Sequence, residues 1–274
     1  FTSIVCQAQF FEPKYLLNKQ NLLLLFSLIM RYSENRQVTI ILLSIICILT
    51  IPYSSSYILF INNDLIQPTI QLKNYFPISH ILYHIVISSF NDGYELGKNY
   101  SIMILQSSLQ TLQSQSNFYD NDEFFFEEVS YSLKIFSIFL ENSTFPIDFN
   151  VDTLLSNRQQ YLTGPEIIQD SFLDFLLSYD SLEIEILNEL LPFLLHDNPT
   201  IELKAINLFK KSIFIEKNSI DIEEEEEEAK SSENSVTLFA FPDLVEIIPQ
   251  VFEKESEIIQ NEAFQFVSNC VKQE

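Results

Sequence analysis

Apolar residues recur along this chain at intervals of three and four, in runs separated by short polar breaks. That spacing places the apolar positions on one face of a helix. The pattern predicts helices over about 15–31, 35–51, 56–66, 68–75, 78–90, 99–114, 123–141, 151–161, 165–179, 182–195, 199–216, 242–254 and 256–272. The breaks carry turn chemistry, as in "IPYSSS", "NDGYELGKN", "LTGPE", "HDNPT" and "FAFPD". Only three glycines occur, Gly93, Gly97 and Gly164. Nucleotide-binding α/β folds and many-stranded β folds both need more glycine at their turns. An all-α chain is therefore expected.

Two runs are apolar on every side. "VTIILLSIICILTI" covers Val38–Ile51, 14 residues, whereas a spanning helix needs about 20. "NLLLLFSLIM" (Asn21–Met30) is shorter. The uncharged stretch continues to Ile61 but is interrupted by Pro52 and three serines. Such lengths suit buried core helices in a layered stack. The competing expectation is a membrane-associated helical protein anchored through residues 21–61.

The second half repeats a grammar. "GPEIIQDSFLDFLLS" (164–178), "DNPTIELKAINLFKKS" (197–212) and "ESEIIQNEAFQFVSN" (255–269) each begin at a turn. An aliphatic residue follows (Ile167, Ile201, Ile259), and four positions later a small one (Ser171, Ala205, Ala263). A small residue at a fixed place lets the next helix cross closely. Two of these segments follow a similar helix and a short acidic turn, as in "IEILNELLPFLLHDNPTIELKAINLF" and "LVEIIPQVFEKESEIIQNEAFQF".

This arrangement resembles the armadillo and HEAT repeat families, whose units run about 40–47 residues. The resemblance covers about 165–272. Upstream, "ENRQVTIILLSII" and "FEEVSYSLKIF" are third-helix candidates, with Ser44, Ser88 and Ser132 at the small position. The resemblance implies a right-handed α-solenoid, one domain over 1–274 with about six units. The chain begins with Phe, and a piece of a longer solenoid is one expectation.

The interval Ser171–Ala205 is 34 residues and Ala205–Ala263 is 58. Against a unit of about 42 residues, the second carries roughly 16 extra. Residues 217–235, with Glu223, Glu224, Glu225, Glu226, Glu227 and Glu228 in a row, have that size and the composition of an unstructured loop. An inserted acidic loop between the last repeats is expected there.

The formal charge is −23, distributed unevenly. Residues 1–110 hold six basic and five acidic side chains; residues 111–274 hold nine basic and 33 acidic. Such a surface repels phosphate backbones and attracts basic proteins, so basic protein segments are the expected partners and nucleic acid is not. The resemblance implies that third helices line a groove, at Asn207 and Lys211 in one repeat and Gln265 and Asn269 in the next. Import adaptors of that family place a tryptophan four residues before an asparagine at these positions. The asparagine occurs here once and tryptophan nowhere, so that peptide clamp is not expected.

Three cysteines (Cys6, Cys47, Cys270) form neither a disulfide framework nor a zinc cluster, which suits a reduced, cytoplasmic or nuclear setting. His80 and His84 lie four apart on one helical face, but no H-E-x-x-H is present, and a third ligand would have to come from Asp92, Glu95 or farther away. A structural role is expected for the pair. No G-x-S-x-G and no phosphate-binding glycine loop occurs. The sequence thus points to a non-catalytic protein-binding scaffold with no cofactor, no metal and no small-molecule substrate.

Overall fold

In a computed structural model the described residues are 18–50, 56–74, 78–113, 123–142, 152–179, 182–220, 243–254 and 256–271. Among them every regular element is helical. The chain divides into two compact units, residues 1–168 and 169–274.

The first unit contains α1 (Lys19–Arg31), α2 (Arg36–Thr50), α3 (Ser56–Asn62), α4 (Ile66–Gln71), a 3₁₀ turn (Leu72–Asn74), α5 (Ser79–Asn91), α6 (Lys98–Gln113), α7 (Glu123–Glu141), α8 (Asp152–Leu155) and α9 (Arg158–Leu162). Packing runs between every second helix: α3 against α5, α5 against α7, and α4 against α6. α6 also packs on α7. α7 is covered almost all round. Val129, Leu133, Phe136 and Phe139 are buried, and so are Ser130, Ser132 and Ser137. Small hydroxyl residues allow close helix approach while bonding the carbonyl one turn back; Ser137 Oγ donates to Leu133 O at 3.1 Å. Ser132 is fully buried as the small position requires, whereas Ser44 and Ser88 are only half-buried and do not fill that role.

The apolar runs near the start become α1 and α2, which pack on each other. Leu22, Phe26 and Ile29 of α1 and Leu43 and Ile46 of α2 face inward. Among the described residues no helix is long and apolar enough to cross a membrane. The helix expected over 56–66 stops at Asn62 because Asp64 takes a left-handed backbone conformation (φ 53°). The Tyr100 hydroxyl of α6 donates to the Asp64 carboxylate and holds that turn. The helix expected over 151–161 is two short ones, α8 and α9, broken at Ser156–Asn157.

The second unit contains α10 (Glu166–Ser178, from Gln169 onward), α11 (Ile184–Leu190), a 3₁₀ segment (Leu191–Leu195), α12 (Pro199–Ile220), α13 (Leu244–Phe252) and α14 (Glu257–Val271). The helix expected over 182–195 tightens to 3₁₀ at Pro192, which has no N–H to continue the α ladder. α12 packs on α14, and α13 packs on the 3₁₀ segment. α12 runs four residues past its expected end, to Ile220, into the stretch read as the insert. The rest of that insert, 221–235, lies outside the described residues.

The small positions behave as expected. Ser171 and Ala205 are fully buried and Ala263 is 4% exposed. Ile201 and Ile259 are buried too, but Ile167 is 41% exposed and Ile168 is buried in its place. Consecutive helical residues lie about 100° apart, and the inward stripe of α10 follows Ile168, Phe172, Phe175 and Leu176. The register between α10 and α12 matches the 34-residue spacing of the small positions. Lys204 of α12 bridges Asp170 at 2.6 Å and Lys211 reaches Leu177 O at 2.7 Å, each 34 residues back. Ala205 is fully buried, so Ala205→Leu should cost about 1–2 kcal/mol in a urea titration by overpacking its surroundings. Asn207→Leu, on the half-buried flank of the same helix, should cost clearly less in the same urea titration.

Candidate partner-binding surface

The second unit spends its cations internally. Lys204 bridges α12 to Asp170 and Asp174 of α10 at 2.6 and 2.7 Å. Lys210 pairs with Glu262 of α14 and donates to Gln265 Oε1 at 3.1 Å. Lys211 donates to Leu177 O and Tyr179 O at 2.7 and 2.8 Å, where the end of α10 leaves its carbonyls unbonded. Lys254 donates to His196 O and pairs with Glu202 at 3.1 Å. These four are the lysine side chains described in this unit, and each ties one element to another. Glu183, Glu185, Asp197, Glu246, Glu253 and Glu257 are exposed to solvent. The outward surface is thus strongly negative.

The residues singled out from sequence fall at different places in this arrangement. Asn207 and Lys211 lie one turn apart on α12, both half-buried. The Lys211 ammonium faces carbonyls of its own unit, so its visible role is to cap α10. Gln265 is exposed on α14 and is joined to Lys210. Asn269 belongs to α14, but its side chain, like Glu223, Glu224, Glu225, Glu226, Glu227 and Glu228, lies outside the described residues.

Two polar clusters of the first unit bear on chemistry. Glu128 of α7 is 8% exposed and bonds the start of α5. The Ser79 backbone N–H donates to one carboxylate oxygen and the Ser79 hydroxyl to the other, with Ser132 Oγ 3.0 Å from that hydroxyl. α5 has no capping side chain of its own, since Ile78 occupies its N-cap position. Glu128 therefore caps it from the neighbouring helix, where the helix dipole favours a negative charge. Burial still pushes its carboxyl up to about 7, against the hydrogen bonds from Ser79, the charge of Lys73 and the Ile78 amide. The sequence hint was a glutamate inside an apolar stripe, "FFFEEVSYS", with Ser132 one turn on. In a chain this acidic the hint carries no weight without the fold. Ser79 is 2% exposed, which closes it to any substrate as a nucleophile.

The second cluster holds the imidazoles. His80 Nε2 and His84 Nε2 of α5 are 3.0 Å apart. His80 stacks on Tyr131 of α7, with ring centres 4.3 Å apart and planes at 15°. Burial, then His84 and Lys134, hold His80 down to about 4, and burial lowers His84 as well. Asp92 and Glu95, the third ligands considered from sequence, follow the far end of α5 and are exposed. Among the described residues no group of three or more metal-ligating side chains gathers.

No family model, no curated protein and no solved structure matches this chain.

Proposed function

We propose that the protein is a non-catalytic binding scaffold, an armadillo/HEAT-type right-handed solenoid that engages basic segments of partner proteins. The observation that carries this reading is the disposition of charge in the second unit. Its described lysines are turned inward onto neighbouring helices, and exposed carboxylates cover the outside. A surface of one sign raises the local concentration of opposite charges and speeds their encounter. Packing of α12 on α14 and of α13 on the 3₁₀ segment, with the 34-residue register between α10 and α12, supports the repeat architecture. Binding of this kind draws on field and shape, without the tryptophan–asparagine clamp. On this reading the protein works in the cytoplasm or nucleus, without cofactor or nucleic acid.

The test is retention of a lysine-rich peptide by the purified chain across a salt series. Exposed charges are screened over about 10 Å at 0.1 M salt, so retention should fall steeply as salt rises. Deleting Ile222–Glu233 should weaken low-salt retention while leaving helicity and melting temperature nearly unchanged. Failure of the intact chain to retain the basic peptide at low salt would sink the proposal.

A further inference from the structure

We propose that His80 and His84 form a two-imidazole chelate for a divalent transition metal of the copper(II) or nickel(II) class. The geometry is the ground for it. Transition metals sit about 2.0–2.1 Å from imidazole nitrogen. Two such donors at right angles are then about 2.9 Å apart, and at a tetrahedral angle about 3.4 Å. The Nε2 atoms are 3.0 Å apart. That separation fits two adjacent corners of a square-planar or tetragonal site, the arrangement copper(II) and nickel(II) favour with nitrogen donors.

Two further features bear on the pair. The His80 ring is clamped against Tyr131, so one donor is already oriented and little rotamer freedom is lost on binding. Both side chains are half-buried, which leaves a side open for water or an outside ligand to complete the shell. One feature opposes binding. Lys134 of α7 lies over the Tyr131 ring, 5.6 Å from its centre, and its charge lowers the affinity for a cation. In the metal-free protein the same contact is an imidazole–imidazole hydrogen bond, with one Nε2–H donating to the other Nε2; when the metal binds, the donating ring takes its Nδ1–H tautomer, so that both Nε2 lone pairs face the metal.

The test uses the tag-free, metal-stripped chain and copper(II) chloride at pH 7.5. The three histidines, His80, His84 and His196, give separable imidazole proton resonances in NMR. Copper added below one equivalent should broaden those of His80 and His84 and spare that of His196, which has no second histidine near it in the sequence. His84→Gln and His80→Gln should each weaken the copper affinity at least tenfold in a competition titration against a colorimetric chelator. His196→Gln should leave it unchanged. Circular dichroism of each variant confirms that the helices persist. Equal broadening of all three imidazoles, or an unchanged affinity in either α5 variant, would overturn the proposal.

Discussion

Lys254→Met will destabilise the protein by about 2 kcal/mol at pH 7 and lower the urea midpoint accordingly. The Lys254 ammonium is the partner shown for Glu202, whose side chain is 1% exposed, and it also bonds His196 O. Methionine keeps the unbranched stem but removes the charge, leaving a carboxylate sealed from direct contact with water. A deeply buried pair loses about 3–5 kcal/mol when one partner is deleted. Glu202 lies in the first turn of α12 and Lys254 keeps 29% of its side chain in water, so solvent near the site reduces the loss. The paired substitution Glu202→Gln in the Lys254→Met background should restore more than half of it. That recovery separates charge burial from lost packing, because glutamine replaces the carboxylate with a neutral group of the same shape. A double variant no more stable than Lys254→Met alone would show that the stem's packing, and not the charge, matters.

Glu128→Gln will stabilise the protein at pH 8 and leave it nearly unchanged at pH 4. The carboxyl of Glu128 titrates at about 7 in the folded chain against an ordinary 4.5. A raised folded value means that the native state holds the proton more tightly than the unfolded chain does. Its contribution is fully present below pH 4.5 and is lost as the pH rises through 7. The difference corresponds to about 3 kcal/mol between those limits. Glutamine can still accept from the Ser79 amide while its NH₂ faces the hydroxyl side, and it never ionises. The measurement is urea denaturation of both proteins from pH 4 to pH 9. The difference between them should open upward from pH 4.5 and level off above 8. A difference independent of pH would mean that the carboxylate is solvated where it caps α5.

Much of the secondary structure was legible because helical periodicity is local. The nineteen residues of α7 match their expected bounds, and α2, α5, α6, α10 and α14 begin and end within a residue or two of theirs. The small positions were legible for a related reason: a close crossing admits only a small side chain, so it leaves a mark in the chain that makes it. Ser171, Ala205 and Ala263 are all buried, as that requirement demands. One place was misread by a single step, Ile167 for Ile168, because adjacent aliphatic residues satisfy the spacing equally well and the inward stripe alone selects between them. Ser44 and Ser88 failed because serine also serves on half-buried faces, where no crossing constrains its size.

The polar sites were not legible in that way. Lys211 reads as a groove residue until the end of α10 is placed beside it, and then it is a cap. Glu128 is one acid among 38 until α5 arrives with an uncapped N-terminus. Glu202 and Lys254 stand 52 residues apart, and nothing in either neighbourhood names the other. Periodicity and residue size are properties of the chain near each position, and they carry the helices and their crossings. Charge partners are chosen by proximity across helices, and in a chain with 38 acidic side chains against 15 basic ones, folding alone picks which of them meets a lysine.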